Sequence, residues 1–354
     1  MKRKTWIDVL RGIAMLLVIM GHCIGFIDNP INRIILCFHM VLFYFISGLT
    51  FSPSRYGSLK RGFKAKFLGI GLQYICFSLM GIVLYYALAF MGLQENGHTV
   101  NLFKAFAGMF FPDGHIGSLV TMGFWFVYDI IVLDLICLTF FYSYKTQKWP
   151  LCVIPAIYIV CMSFSNIDVI LRQLTGLLFF MLGKLAMNMI KYKIDLRKLS
   201  LGGKCTLITV SAILLVVLYY SSFCNVPVYM YKFEIGDVFI FSINAVLGIV
   251  AFVMLALFVN SSRILEWIGR NTLPILFSHF ALQRFFYLIA NILFPSMKKE
   301  YGEYVWSTTP FWIATFVFLI LTSSLFAYIT NRFFPSFVGK GELKNKMTSL
   351  ISKL

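Results

Sequence analysis

Apolar segments long enough to cross a lipid bilayer follow one another along the whole sequence. There are ten, at residues 7–27, 34–51, 67–91, 119–142, 150–166, 168–190, 203–223, 237–259, 271–294 and 310–332. A helix needs about 20 apolar residues to span the hydrocarbon core. Hydrophobic residues make up 60% of the 354 and charged residues only 13%, which is more apolar surface than a soluble domain of this size can bury. We therefore predict an all-α, polytopic membrane protein that forms a single domain over residues 1–354.

The distribution of basic residues predicts how these spans are oriented. Of the 31 Lys and Arg residues, 23 fall in the N-terminal segment, alternate loops and the C-terminal tail, which share one side. Five fall in the loops of the other side, and three lie within spans. The positive-inside rule then places both termini in the cytoplasm, and we expect a multi-pass protein of the cell (plasma or inner) membrane. The rule also explains the net charge of +17 without a nucleic-acid partner.

The first span, Trp6–Gly25, contains three ionisable residues, although such groups are costly inside a bilayer. Arg11 and His22 are eleven residues apart, which places them on nearly one face of a helix, about 16 Å apart along its axis. Asp8 precedes Arg11 by three residues, close enough to pair with it. A neutral imidazole can accept a proton from a hydroxyl near neutral pH, so His22 is a candidate general base. The alternative is a packing histidine bonded to a carbonyl.

The start of the chain is informative about targeting. The basic N-terminal segment is typical of a signal peptide, but no cleavage site follows and Asp8 and Arg11 interrupt the apolar run. We expect a first span that is retained.

The eight cysteines lie almost entirely in apolar runs without paired short spacing, which indicates neither a metal site nor a set of disulfides.

Two further histidines lie in other predicted spans. His39 is expected at a depth similar to that of His22 in the adjacent span, so that both rings could face one cavity. A zinc site would require a third ligand, which the sequence near them does not offer. His279 shares a helix face with Gln283, and we leave open whether it faces a cavity or the core. Gly48 and the serine before it are both small, so we interpret this pair as a site where another helix comes close rather than as the position of a nucleophilic serine.

The acidic residues of the fourth predicted span are expected to be paired. Asp129 and Asp134 would lie inside the membrane, where either could pair with Arg172 or Arg284 or orient a histidine. Trp125 opens this span, and there an aromatic residue at the membrane interface is the simpler interpretation.

The loop before the third span is strongly basic. It contains Arg55, Lys60, Arg61, Lys64 and Lys66. Part of this charge reflects topology, but Lys60 and Lys64 share one side of a predicted helix and Arg61 is adjacent. Such a cluster suits a phosphate-rich ligand or anionic lipid headgroups. The longest outer loop, residues 92–118, holds His98 and His115, expected at the solvent or lipid surface, and the segment NLFKAFAGMFF, expected as a short interfacial helix.

At these residues the sequence resembles the acyltransferase family 3 group of integral-membrane acyltransferases, which includes bacterial glycan O-acetyltransferases. The resemblance covers essentially the whole chain. It is carried by the D-x-L-R-G-I-A run with its following histidine (Asp8 to His22), F-H-M-V-L-F-Y-F-I-S-G (Phe38–Gly48), the basic loop, F-W-F (Phe124–Phe126) and G-R-N-T-L-P-I-x-x-x-H (Gly269–His279). The spacing of Arg11 and His22, followed by the Phe38–Gly48 run, is the most specific part.

The resemblance implies a ten-helix core, acyl-CoA (acetyl-CoA first of all) as donor substrate with no bound cofactor or metal, and a hydroxyl acceptor on a glycan or lipid-linked sugar. It assigns a catalytic role to His22 and an essential one to Arg11. The residues expected at the donor phosphates are Arg11, Lys60, Arg61, Lys64 and Lys66. The residues expected near the acceptor or thioester are His39, Trp125 and His279.

The sequence departs from the family pattern in two places. Where the family often has an arginine followed by R-L-L-x-P-Y, this chain has Lys66-Phe67-Leu68-Gly69-Ile70, so the pattern does not fix which basic residue holds the donor phosphates. It also carries no fused hydrolase-like domain after the last span, so we expect transfer to be completed within the membrane domain or by a partner.

Two other classes of function fit part of the sequence. Intramembrane Arg, Asp and His residues would also suit a proton-coupled transporter or a lipid-linked sugar flippase. We find no inverted repeat and no paired spans broken by Gly or Pro, which disfavours transport. A structural partner of an envelope assembly is the third alternative.

Overall fold

The apolar segments that the structure describes fold into helices, as the sequence predicts. The computed structural model describes residues 4–24, 29–90, 101–110, 124–144, 168–193, 200–293, 311–335 and 338. In that part of the chain the only β-type pairing is an isolated antiparallel bridge between Tyr229 and Glu234. The α-helices are α1 (Thr5–Ile24), α2 (Pro30–Thr50), α3 (Leu59–Lys66), α4 (Leu72–Phe90), α5 (Leu102–Phe110), α6 (Trp125–Tyr144), α7 (Asp168–Lys193), α8 (Leu201–Ser222), α9 (Val238–Val259), α10 (Arg263–Arg270), α11 (Thr272–Leu293) and α12 (Phe311–Phe333).

Eight helical stretches among the described residues are long and apolar enough to cross a membrane. They coincide with eight of the predicted spans, and this confirms an all-α polytopic membrane protein. Helix α11 covers the ninth predicted span, 271–294, with 22 residues. The fifth predicted span, 150–166, lies outside the described residues, as do His98 and His115. The total of ten spans and the orientation of the termini therefore stay predictions.

The third span begins earlier than the sequence predicts. Its helical backbone starts at Leu59 rather than near residue 67, because the Ser58 side chain caps α3 by accepting the Arg61 N–H at 3.3 Å. A π-helical turn, Phe67–Gly71, joins α3 to α4, and the Gln73 amide donates to the carbonyl of Gly69 within it at 2.8 Å. π-helical turns are frequent at functional sites. This one lies at the Lys66–Ile70 segment that departs from the family pattern.

The chain divides into two compact units, which are described separately. Unit 1 comprises residues 1–51, 148–272 and 282–322, and unit 2 comprises residues 52–147, 273–281 and 323–354.

In unit 1, α2 and α7 cross at a pair of glycines. A Cβ on Gly48 would overlap the carbonyl oxygen of Phe180, and a Cβ on Gly183 would overlap that of Phe45. Small residues at such a crossing let two backbones touch, which is how spans associate in lipid. The close approach predicted at Gly48 is therefore confirmed. Beside it, the Lys184 ammonium donates to the Phe51 carbonyl at 2.8 Å, at the C-terminal cap of α2.

In unit 2, the short helix predicted in the outer loop is present as α5 and packs on α4. Ala105 and Met109 of α5 are buried against Ile82 and Tyr85 of α4, and the Tyr74 hydroxyl donates to the Met109 carbonyl at 2.6 Å. The opposite side of α5 exposes Leu102, Phe103, Phe106 and Phe110. Its exposed apolar side is the pattern expected of a helix that lies against lipid.

The glycine crossing of unit 1 can be tested by adding one methyl group. We expect Gly48→Ala and Gly183→Ala to lower the midpoint of thermal unfolding of the purified protein, because each Cβ meets backbone that cannot rotate away. Overpacking of this kind costs about 1–3 kcal/mol. Gly202→Ala in α8 is the control, since its Cβ would make only ordinary contact with Ser200. A Gly48→Ala protein as stable as the Gly202→Ala protein would contradict this account of the crossing.

Candidate active site

The Asp8 carboxylate in unit 1 lies between two guanidinium groups. Its Oδ1 is 3.7 Å from Nη1 of Arg11, one turn further along α1. Its Oδ2 accepts a hydrogen bond from Nε of Arg270 at 3.2 Å. Only 4% of the Asp8 side chain is exposed, compared with 25% for Arg11 and 43% for Arg270. The predicted pairing of Asp8 with Arg11 is thus found, and Arg270 is an additional partner that sequence spacing did not reveal.

A second carboxylate holds Arg270 from the other side. Glu266 accepts a hydrogen bond from Nη2 of Arg270 at 2.5 Å, and its other oxygen accepts one from the Ser261 hydroxyl at 2.7 Å. Glu266 and Arg270 are four residues apart on α10, which is the spacing at which helical side chains meet. Two carboxylates and two guanidinium groups therefore form one ionic network where α1 meets α10.

His22 lies in the last turn of α1 and is half-buried. Its carbonyl accepts a hydrogen bond from the Gln283 amide at 2.8 Å, and the same amide donates to the Tyr287 hydroxyl at 2.9 Å. The last carbonyls of a helix lack partners within the helix, so this bond satisfies one of them and fixes the backbone beneath the imidazole. Because α1 runs unbroken from Thr5 to Ile24, the spacing of Arg11 and His22 along one helix follows directly.

His39 is offset along α2 from the level at which α1 ends. A Cβ on Gly21 would lie 3.4 Å from Asn32 and 3.5 Å from Ile35, so the end of α1 is level with the first turns of α2. His39 follows these residues by four to seven positions, about 6–10 Å along the helix. Its ring is buried, and Nδ1 donates to the carbonyl of Ile35 at 2.8 Å. The two rings are therefore offset along the helix axes, and the predicted role of His39 towards substrate stays a prediction.

Four of the five residues of the basic cluster, which belongs to unit 2, lie on α3. Lys60 and Arg61 are exposed and Lys64 is half-buried, while Gly62 is buried, with Leu138 of α6 about 3.3 Å from the position its Cβ would take. One side of α3 is thereby fixed on α6, and the side that carries three cations is left accessible. This is the arrangement that an anionic ligand or a headgroup layer requires.

Lys66 differs from the rest of the basic cluster because it is paired with a buried acid. Its ammonium is 2.5 Å from Oδ2 of Asp134, and the two side chains are 19% and 4% exposed. Lys66 thus takes the place of Arg172, Arg284 or a histidine, the partners expected for Asp134, because α3 packs on α6. Arg172, in unit 1, is fully buried and donates to the Tyr231 carbonyl at 2.8 Å.

Trp125 and His279, both in unit 2, are buried within the protein. Trp125 is 8% exposed and makes an edge contact with Phe126. His279 is fully buried, and its Nδ1 donates to the carbonyl of Leu276 at 2.6 Å. A buried ring bonded to its own helix is the packing arrangement that the sequence analysis left open for this histidine. The predicted roles of Trp125 and His279 towards substrate stay predictions.

The structure distributes the predicted site residues over both units. Arg11, His22 and His39 belong to unit 1; Lys60, Arg61, Lys64, Lys66, Trp125 and His279 belong to unit 2. Within the described ranges, no group of three or more His, Cys, Asp or Glu side chains could hold a metal ion. The partners that sequence reasoning missed are Arg270, Glu266 and the amide of Gln283. Arg270 lies within the Gly269–His279 motif and Gln283 follows it by four residues, but nothing in the spacing indicated contact with α1.

These features define a class, a polytopic helical membrane protein with paired charges inside its helices. The comparisons with known proteins give its family. The family model Acyl_transf_3, an acyltransferase domain, matches residues 4–328. No curated protein and no solved structure matched the chain. The chain belongs to acyltransferase family 3 and is a membrane acyltransferase, which favours the enzyme over the transporter, flippase and structural alternatives.

The Lys66–Asp134 pair allows a test by double replacement. We expect Lys66→Met and Asp134→Leu each to lower the midpoint of thermal unfolding, because each leaves the other charge buried without its counterion. Breaking a buried ion pair from one side costs about 3–5 kcal/mol, and replacing both partners with apolar residues costs much less.

The double variant should therefore unfold at a higher temperature than either single variant. Lys60→Met, which removes an exposed charge of the same helix, is the control and should change the midpoint little. Strictly additive losses in the double variant would show that the two side chains do not stabilise each other.

Proposed function

We propose that this membrane acyltransferase moves an acyl group, acetyl first of all, from acetyl-CoA to a hydroxyl of a cell-surface glycan or a lipid-linked sugar at the cell membrane. The proposal rests on two side chains of α1, Arg11 and His22. One unbroken helix bears a guanidinium paired with Asp8 at 3.7 Å, and an imidazole whose backbone is fixed by Gln283. A cation and a base at fixed spacing are the groups that acyl transfer requires.

His22 acts in this proposal as the general base. Its neutral imidazole takes the proton from the acceptor hydroxyl as that oxygen attacks the thioester carbonyl. The new C–O bond forms, the C–S bond breaks, and the leaving thiolate of CoA takes the proton back from the imidazolium. In the alternative course, a ring nitrogen of His22 attacks the thioester carbonyl, the C–S bond breaks, and the CoA thiolate leaves with the proton of the other ring nitrogen. The acceptor hydroxyl then attacks the acyl group, the C–N bond breaks, and the hydroxyl proton returns to the imidazole.

Helix α3 supplies the donor-binding part of the proposal. The phosphates of CoA are its most strongly charged groups, and Lys60, Arg61 and Lys64 lie within five residues on the accessible side of the helix. Charge-assisted hydrogen bonds to phosphate are among the strongest that a protein makes. Lys66 already faces Asp134, so we assign it to holding α3 in place rather than to contacting phosphate directly.

His22→Ala provides the first test. We expect membrane levels like those of the unchanged protein and a loss of transfer of about 10²- to 10⁴-fold, the usual contribution of a general base. Radiolabelled acetyl-CoA and mass spectrometry of surface glycans measure the transfer. Cys205→Ala, an exposed position of α8, should transfer normally. Undiminished transfer by the His22→Ala protein would remove the proposed base.

Arg61→Ala tests the donor site. We expect the KM for acetyl-CoA to rise about fivefold, because an exposed ion pair contributes no more than about 1 kcal/mol. S-acetylpantetheine lacks the nucleotide and its phosphates, so its KM should not change. Arg61→Lys keeps the charge and should behave like the unchanged protein.

Equal losses with both donors would mean that Arg61 supports the fold or the acyl chain rather than the phosphates. If the KM for acetyl-CoA did not change but binding of anionic vesicles weakened, the cluster would be a site for lipid headgroups.

A further inference from the structure

Arg270 makes contacts with two carboxylates that have no role in the transfer steps proposed above. Its guanidinium donates through Nε to Asp8 and through Nη2 to Glu266, so it lies between two carboxylates. Of the two guanidinium groups near Asp8, the one at hydrogen-bonding distance belongs to Arg270, at 3.2 Å. The distance from Asp8 to Arg11 is 3.7 Å, which is an ion pair without a good hydrogen bond.

The backbone keeps Arg270 at this position. A Cβ on Gly269 would overlap the carbonyl oxygen of Asp8, and a Cβ on Gly12 would overlap that of Leu265. Helices α1 and α10 thus touch on both sides of the ionic network. Asp8 and Arg270 are attached to backbone that cannot separate, while Arg11 reaches the carboxylate by a long side chain with several rotamers.

Asp8 is shared by Arg270 and Arg11, and this sharing determines how much of the positive charge of Arg11 is compensated. Asp8 is almost fully buried, so its negative charge is weakly screened and interacts strongly with whichever cation is nearest. Without Arg270, the carboxylate would turn to Arg11, three residues further on its own helix. The Arg11 guanidinium would then be neutralised and drawn along α1.

We propose that Arg270 is a positioning residue: it draws the Asp8 carboxylate away from Arg11, so that Arg11 keeps positive charge for an anionic group of the acyl-CoA donor. This inference rests on the proposed function, because it requires Arg11 to contact the donor. It also explains why the run that begins at Gly269 accompanies the Asp8–Arg11 pair in this chain. The glycine allows the crossing, and the next residue supplies the competing cation.

We expect the Asp8→Asn replacement to restore the affinity for acetyl-CoA that the Arg270→Gln replacement lowers. In the full-length protein, Arg270→Gln should weaken acetyl-CoA binding about tenfold, the effect of one charge-assisted hydrogen bond. Asp8→Asn removes the charge that competes for Arg11, so its Kd should be at least as low as that of the unchanged protein. The double variant Asp8→Asn/Arg270→Gln should recover to within about threefold of the unchanged protein. Calorimetry with acetyl-CoA measures each Kd.

Two further variants separate positioning from folding. Arg270→Lys keeps a cation beside Asp8 and should retain most of the affinity. Arg263→Gln removes an exposed charge from the other end of α10 and should leave the Kd unchanged. If Arg270→Gln does not give a monodisperse protein, Asp8→Asn alone still decides, because a merely structural carboxylate would lose affinity when neutralised.

Unchanged affinity in Arg270→Gln, or a double variant weaker than Arg270→Gln, would overturn the inference while the function stands. If the unchanged protein failed to bind or transfer from acetyl-CoA, the proposed function would fail, and the inference with it.

Discussion

A carboxylate buried in an apolar helix bundle must be compensated, and in unit 1 this requirement falls on Asp8. An isolated charge in such surroundings costs several kcal/mol, of the order of the whole stability of a domain. Arg11 and Arg270 supply the compensation from opposite sides, and Glu266 then balances the second cation. The network is possible only because Gly12 and Gly269 let α1 and α10 touch. The position of Arg11, and with it the chemistry proposed for α1, depends on this crossing.

The same rule organises unit 2 with other residues. Asp134 is buried, and the cation that reaches it is Lys66, at the point where α3 passes into the π-helical turn. This pairing removes Lys66 from the accessible basic cluster and ties α3 to α6. The other cations of α3, namely the exposed Lys60 and Arg61 and the half-buried Lys64, therefore lie on a helix whose orientation a buried ion pair determines. The basic residues that lie together in the sequence therefore differ in their contacts: Lys66 holds α3 on α6, and the other cations of α3 stay on its accessible side.

Close helix crossings are the second recurring device. In lipid, spans gain little from burying apolar side chains against each other, because the surrounding chains are equally apolar. Association depends instead on backbone proximity and polar contacts. Gly48 and Gly183 provide the proximity between α2 and α7, and Lys184 adds a polar contact at the end of α2. His39, buried and bonded to its own helix, is consistent with a span that contributes packing at that level.

The sequence by itself determined the fold class, because apolar segments of spanning length have no other stable arrangement than helices in a bilayer. It also determined which residues of α1 share a face, since 3.6 residues per turn fixes the spacing of Asp8, Arg11 and His22. The helix approach at Gly48 was also predictable locally, because small residues let another backbone come close. Only the tertiary structure decided the partners: Arg270 for Asp8, Lys66 for Asp134, and Gln283 for the carbonyl of His22. Each of these contacts joins residues at least 68 positions apart, and the distance in space depends on helix crossings that no local period encodes.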